Sequence, residues 1–134
     1  MAKTNYYENE RADFMVAMNR ILDSYSREVQ AAAQLAFNQI AKEAVQRLKQ
    51  TSPVGRGKNA GEYAKSWTLK KTERKQRQGI ETVVVYNKDH YQLTHLLEHG
   101  HALMQGGRAK AEPHIAPVNE WAANEVVRRI EGNL

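Results

Sequence analysis

A long amphipathic pattern dominates the N-terminal third of the chain. Between Phe14 and Leu48 apolar residues recur every three or four positions, the spacing of one face of an α-helix. About 35 helical residues would span about 50 Å, more than a lone small domain covers, so part of the helix is expected to rest on a neighbouring subunit. Alternatively, the pattern contains two helices, a short one followed by the main one, because Ser24 and Ser26 within Asp23–Arg27 can cap the start of the second. We expect the helix to end by Ser52, because Pro53 disfavours α geometry in the residue before it.

A loop rich in glycine is expected after this helix. Residues 51–61 contain three glycines, a proline and an asparagine, which together favour a flexible loop or turn. The glycines do not make a phosphate-binding loop, because the Lys-Ser/Thr pair that follows such a loop is missing and no strand precedes it.

Two strands are expected in the middle of the chain. Residues from Tyr63 to Leu69 lead into a strongly basic run, which is typical of an exposed strand with charged side chains on its solvent face. Residues 76–79 then turn the chain. The segment from Ile80 to Tyr86 is β-branched almost throughout and should pair antiparallel with the first strand as a hairpin, which residues 87–89 close.

A short helix and a last helix complete the prediction. The short helix covers Tyr91 to His99, with its leucines facing the core and Gly100 as a left-handed C-terminal cap. A segment rich in Gly and Pro follows, and Pro117 is expected at the first position of the last helix, where a missing N–H costs nothing. The apolar stripe of that helix consists of Val118, Ala122, Val126 and Ile130, with Trp121 beside it.

The predicted architecture is α+β: a long N-terminal helix, a small antiparallel sheet formed by one hairpin, a short helix, a long loop and a C-terminal helix. The 134 residues fit one domain, 1–134, in which residues 1–13 are a candidate disordered segment. No apolar run approaches the roughly 20 residues that cross a bilayer, and the polar N-terminus lacks the apolar core of a secretory signal.

The charge balance raises a nucleic-acid hypothesis. The formal net charge is +5 and the pI about 9.5, and basic residues concentrate at 65–77 and 108–110. Basic side chains near phosphates gain from counterion release, so a DNA-binding module is one alternative function. Elsewhere the charges alternate in sign as on a solvated helix face, and no recognised nucleic-acid motif is present. There is no cysteine, which excludes disulfides and thiolate metal sites.

A histidine-rich string provides the second alternative. The residues His95-Leu-Leu-Glu-His99 match the H-x-x-E-H pattern of inverted zinc peptidases, in which two histidines hold the metal and Glu98 would be the general base. A third ligand would have to come from His101 or His114, and Gly100 ends the helix at once. The competing structural interpretation is a helix whose Leu96 and Leu97 face the core while its histidines lie at the edge.

Three successive motifs resemble those of a known family. The first motif is a Leu-Leu-Glu-x-Gly-His string, which comes after a strand that ends in Asn and after a Tyr. The second is a Gly-Gly-Arg loop, and the third is a Pro-His-Ile-x-Pro segment before the last helix. This order resembles the siphophage neck or tail-completion proteins, and the resemblance covers roughly residues 42–130. The residues that occupy the motif positions are Asn87, Tyr91, Leu96, Leu97, Glu98, Gly100, His101, Gly106, Gly107, Arg108, Pro113, His114, Ile115 and Pro117.

The resemblance implies a virion structural protein, without catalytic residues or cofactor, that self-assembles at the head–tail junction or tail end to complete or connect the tail. Its implied partners are further copies of itself in a ring, by analogy a hexamer, together with head-closure or connector proteins and tail-terminator or tail-tube proteins. DNA would pass through only as cargo, and no membrane is involved. The protein would be made in the bacterial host cytoplasm and reside in the neck or tail of the virion.

The same motifs have a structural interpretation. Gly100 would supply a positive-φ turn, Pro113 and Pro117 would hold an extended segment, and Glu98 would accept hydrogen bonds from the backbone or from Arg108, in a network that His101 and His114 could join. Two loops, the first at residues 54–61 and the second at residues 102–110, are candidate partner contacts, because they offer backbone donors and positive charge to acidic partners. Their contact residues are Val54, Gly55, Arg56, Gly57, Lys58, Asn59, Gly61, Met104, Gln105 and Lys110.

Overall fold

The computed structural model describes residues 25–71 and 81–134. The helices in these ranges are α1 (Arg27–Thr51), α2 (Glu62–Lys65), α3 (Gln92–His99) and α4 (Ile115–Gly132). The strands are β1 (Trp67–Lys71), β2 (Val83–Asn87), β3 (His101–Ala102) and β4 (Arg108–Ala109). The predicted α+β architecture is confirmed. The candidate disorder at 1–13, the helical pattern from Phe14 to residue 24 and the turn at 76–79 lie outside the described residues.

The long helix α1 begins at the alternative boundary given by its serines. Ser26 has extended backbone angles (φ −63°, ψ 161°), and its Oγ accepts a hydrogen bond from the Val29 N–H at 3.3 Å, as an N-cap does. An uninterrupted helix from Phe14 is therefore wrong. The helix ends at Thr51 as predicted, because Ser52 before Pro53 is extended (ψ 147°).

Helices α1 and α4 pack antiparallel along their lengths. Near the start of α1, Ala33 is 0% exposed and contacts Phe37 and Ile130, while near its end Leu48 shares a core cluster with Val118. Small residues on the buried face of α1 let the two helices approach closely. The predicted apolar stripe of α4 is confirmed, since its residues from Val118 to Ile130 are buried or half-buried.

The predicted hairpin is confirmed, with different ends. Strand β1 pairs antiparallel with β2, and Trp67 lies opposite Asn87 while Lys71 lies opposite Val83. Of the expected exposed strand, residues 72–77 lie outside the described part of the chain, and within Trp67–Lys71 only the two lysines are exposed. Trp67 is buried, and Tyr63 belongs to α2, a single helical turn that the apolar pattern did not predict.

The expected long loop after α3 contains a short hairpin, in which β3 pairs antiparallel with β4. This second hairpin lies between Gly100 and the segment that leads into α4. Within 25–71 and 81–134, no helix is both long and apolar enough to cross a membrane.

Candidate functional site

The carboxylate of Glu98 caps the start of α4. Its Oε2 accepts hydrogen bonds from the backbone N–H groups of His114 (2.8 Å) and Ile115 (2.9 Å), and its Oε1 accepts one from Ala116 (2.9 Å). The next residue, Pro117, has no N–H. The first turn of a helix leaves such donors without intrahelical partners, and here Glu98 satisfies all that exist. The helix therefore begins at Ile115, and the expectation that Pro117 takes its first position is wrong.

The surroundings of Glu98 favour its ionised form. Burial by itself would raise the pKa of this carboxyl, but the three backbone donors and His114 outweigh burial and hold the pKa below its ordinary value. A negative charge at a helix N-terminus is also favoured by the helix dipole. Glu98 is thus a buried carboxylate whose acceptor capacity is directed at the backbone.

His114 joins this cap to the core. Its ring is almost fully buried, its Nδ1 lies 2.7 Å from the Glu112 carbonyl oxygen, and its Nε2 lies 2.7 Å from the hydroxyl of Tyr63. A carbonyl oxygen only accepts, so Nδ1 carries the hydrogen and, in the neutral ring, Nε2 accepts from Tyr63. Burial, and next the charge of Glu98, raise the pKa of Tyr63. The tyrosine therefore remains a donor.

Aromatic packing and an asparagine extend the network. Tyr63 meets Trp67 and His114 edge to face, with ring centroids 5.8 Å and 5.5 Å apart. The side chain of Asn87 donates from Nδ2 to the Tyr63 carbonyl (2.9 Å) and accepts at Oδ1 from the His90 N–H (2.9 Å). The polar network thus links α2, the end of β2, α3 and the start of α4.

The indole of Trp67 connects the same network to α1. Its Nε1 donates to Ser52 Oγ at 2.7 Å, and this hydroxyl in turn donates to the Leu48 carbonyl at the end of α1. The contribution of Ser52, Tyr63 and Trp67 was not predicted. No local sequence pattern indicates these hydrogen bonds, because a buried Tyr or Trp needs a polar partner that can come from anywhere in the fold.

Gly100 occupies a position that only glycine fits. Its backbone angles are φ 75° and ψ 173°, so the positive φ is confirmed, while the expected left-handed cap is wrong. A Cβ here would lie 2.6 Å from the Ala109 carbonyl oxygen and 3.2 Å from the Ala111 nitrogen. Together with a 2.7 Å hydrogen bond from the Glu112 N–H to the Leu97 carbonyl, this close approach fixes the base of the second hairpin.

The remaining motif residues separate into inner and outer sets. Leu97 packs against the core, whereas Leu96 is exposed, so its expected core position is wrong. Arg108 is exposed on β4 and is not among the hydrogen-bond partners of Glu98. His101 does not join the network as expected, since its buried Nδ1 has no hydrogen-bond partner among the described residues. The exposed motif residues are Tyr91, Leu96, Gly106, Gly107, Arg108, Pro113 and Pro117.

The zinc constellation does not form. His95 and His99 are close, with ring centroids 4.8 Å apart, but Glu98 is engaged by the α4 backbone and is not free to act as a base beside them. Across the described ranges, no three His, Cys, Asp or Glu side chains are placed to hold a metal ion.

Both candidate contact loops are exposed and locally ordered. In the first, the Gly61 N–H donates to the Val54 carbonyl at 2.7 Å, and Gly55, Gly57 and Gly61 all have positive φ. In the second, the Leu103 N–H donates to the Gly107 carbonyl at 3.0 Å, and Met104 at the tip is fully exposed. Their role in partner contact stays a prediction.

Comparison with known proteins gives one family. Residues 17–100 match the family described as "Bacteriophage HK97-gp10, putative tail-component". No curated protein and no solved structure matches the chain. The matched segment is more than half of the 134 residues and includes α1, both strands of the first hairpin, Glu98 and Gly100. The chain therefore belongs to the HK97-gp10-like family of bacteriophage tail components.

Proposed function

We propose that this tail component forms a homo-oligomeric ring, with six copies as the expected number, that completes the tail at the head–tail junction. Its neighbours there are head-closure or connector proteins on one side and tail-terminator or tail-tube proteins on the other. DNA passes through the ring as cargo. The chain acts as a single domain, made in the host cytoplasm and incorporated into the neck or tail of the virion.

The observation that carries this proposal is the use of the family motif inside the domain. The side chains of Asn87, Glu98 and His114 are buried and bind backbone or core groups, so they hold elements together. Gly100 is also buried and lets the backbone pass close to Ala109. What these residues position is the second hairpin, whose tip is exposed. A motif that builds a rigid scaffold under exposed loops leaves those loops as the surfaces for contact with other molecules.

The charge of the exposed loops indicates the chemistry of the partners. Arg56 and Lys58 in the first loop, and Arg108 and Lys110 in the second, are all exposed. Basic loops steer association with acidic surfaces and suppress wrong partners. We therefore place the contacts with the neighbouring virion proteins at these loops.

The test is complementation of a phage that lacks the chain. Without it, filled heads and finished tails should accumulate separately, and the wild-type protein should restore joined particles. Replacing Arg56 and Lys58, or Arg108 and Lys110, with Glu should leave the purified protein folded and reduce infectious particles at least about tenfold.

The control carries the same charge change elsewhere. Lys42 and Lys49 are exposed on α1, and their replacement by Glu should leave complementation intact. Normal yields with the loop variants would remove the loops from the proposal. Absence of tails from the deletion phage, or one copy of the chain per joined particle, would contradict a ring at the junction.

A further inference from the structure

An open apolar groove lies where the first turns of α1 meet the end of α4. It encloses about 410 Å³ and is lined by Glu28, Ala31, Ala32, Leu35, Asn133 and Leu134. Asn133 ties the two helices here by donating from Nδ2 to the Ala32 carbonyl at 3.2 Å. Leu35 is 48% exposed in the groove, an apolar side chain that neither helix covers.

A fixed apolar tip belongs to the hairpin whose base lies before the N-terminus of α4. Leu103 and Met104 form the tip of the β3–β4 hairpin, and Met104 is fully exposed. Two backbone bonds close the tip, from Leu103 N–H to the Gly107 carbonyl and from Gly106 N–H to the Leu103 carbonyl (3.1 Å). At the base, the packing of Gly100 against Ala109 holds the hairpin. Methionine is common at binding surfaces because its flexible side chain fits irregular pockets.

We propose that the Leu103–Met104 tip of one copy docks into the α1–α4 groove of the next copy. This inference rests on the proposed ring and names the interface that closes it. The base of the hairpin, at Gly100 and Ala109, lies in the segment that leads into the N-terminus of α4, and the groove lies at the C-terminus of α4, which 18 residues place about 27 Å away. An apolar knob and a pocket on different surfaces of one molecule generate a head-to-tail contact, which closes into a ring if the rotation permits.

The charges beside the two surfaces are complementary. Arg108 and Lys110 are exposed next to the tip, and Glu28 lines the groove. Docking would bring Arg108 and Lys110 toward Glu28, which favours another copy of the chain as the occupant.

Cysteine cross-linking tests this contact directly, because the chain has no cysteine of its own. A double variant, Leu35→Cys with Met104→Cys, should form under mild oxidation a ladder of disulfide-linked multimers in complemented particles, ending at the ring number. Each single variant should give no ladder. The control pairs Met104→Cys with Val127→Cys, which is more exposed than Leu35 (61% against 48%) but does not line the groove, and it should give no ladder.

The outcomes separate this inference from the proposed ring. No ladder from the double variant, in particles that hold several copies of the chain, overturns the docking and leaves the ring standing. A single copy per particle contradicts the ring itself. Linkage of Leu35→Cys to another virion protein, or to a cysteine placed at Met18 of the same chain, assigns the groove to a different occupant and overturns the proposal.

A second pair of variants guards against a folding defect. Met104→Lys places a charge at a fully exposed position, so the domain should fold normally while the number of copies per particle falls at least about tenfold. Met104→Leu should retain wild-type incorporation. Equal incorporation of Met104→Lys and wild type would overturn the docking.

Discussion

The two ends of helix α4 are held in place by different forces. At its N-terminus, Glu98 and His114 meet backbone donors and the Tyr63 hydroxyl in a buried polar network. At its C-terminus, Ile130 packs on Ala33, an alanine whose small side chain lets the helices approach closely. The long-range hydrogen bonds are buried at the N-terminal end, whereas at the C-terminal end those of Asn133 and Arg129 are only part-buried and the buried contact is apolar.

This difference predicts how each end fails. A buried hydrogen-bond network loses stability abruptly when one member is removed, because the partners left behind have no water to replace it. Apolar packing responds in proportion to the volume added or removed. Open grooves border both ends of α4, so the expected difference comes from the forces at each end and not from the space around it.

The largest effect is expected from Glu98→Ala. This change leaves the N–H groups of His114, Ile115 and Ala116 without their acceptor, and we expect the free energy of unfolding to fall by about 3 kcal/mol or more. Urea unfolding followed by circular dichroism measures it. Glu112→Ala, at an exposed carboxylate in the same segment, should cost less than about 0.5 kcal/mol. Similar losses in the two variants would contradict the capping role.

A somewhat smaller loss, about 2–3 kcal/mol, is expected from Gly100→Ala. The added Cβ would lie 2.6 Å from the Ala109 carbonyl, and the positive φ strains any other residue. Gly106→Ala isolates the strain of the positive φ, since the φ of Gly106 is also positive but no atom lies within 4 Å of the added Cβ. This variant should cost about 1 kcal/mol. Thermal unfolding of the two variants compares them, and equal melting temperatures would show that the close approach to Ala109 does not matter.

At the apolar end, Ala33→Leu should cost about 1–3 kcal/mol by overpacking the contact with Phe37 and Ile130. Ala31→Leu is the matched control on the same helix, because Ala31 is exposed and should change stability by less than about 0.5 kcal/mol. Urea midpoints measure both. Because Ala31 lines the groove, its leucine variant should nevertheless reduce incorporation into particles. A stable Ala33→Leu protein would mean that the two helices separate without penalty.

The apolar end was largely predictable from sequence, and the polar end only in part: the backbone hydrogen bonds of Glu98 and the place of His114 in the network were expected, but their role in capping α4 was not. Apolar residues spaced three or four positions apart predicted α1, the apolar stripe of α4 and the helix faces that meet. This was possible because the contacts between amphipathic helices recur at that spacing along the chain. The capping of α4 by Glu98 depends on residues 16–18 positions apart, and the Tyr63–His114 bond on residues 51 apart. Local rules therefore placed Pro117 at the first helical position, two residues too late.

Glycine and serine signals show the same limit. The capping preference of serine correctly offered a boundary within Asp23–Arg27, because a cap is a local hydrogen bond. The requirement for positive φ at Gly100 was also predictable, but its reason was not. The deciding contact is with Ala109, and it exists only after the second hairpin has formed.

The smallest expected effect distinguishes the two ends of α4 by pH and salt. Glu125, on the C-terminal half of α4, also has a lowered pKa, through hydrogen bonds from Arg128 and Arg129. A carboxyl whose pKa is lower in the folded state stabilises the protein above its unfolded pKa, near 4.5, and this stability is lost as pH falls through the folded value. Both Glu98→Gln and Glu125→Gln should therefore flatten the loss of stability below about pH 4.5.

Salt separates the two contributions, because exposed charges are screened and buried ones much less so. The Arg128 side chain is 73% exposed and Arg129 is 21% exposed, so about 0.5 M NaCl should reduce the difference between Glu125→Gln and wild type. The difference due to Glu98→Gln should persist, since its donors are backbone groups inside the network. Urea unfolding at pH 3 to 7 and two salt concentrations measures this. Equal screening of both variants would place Glu98 in contact with solvent and remove the distinction between the two ends of the helix.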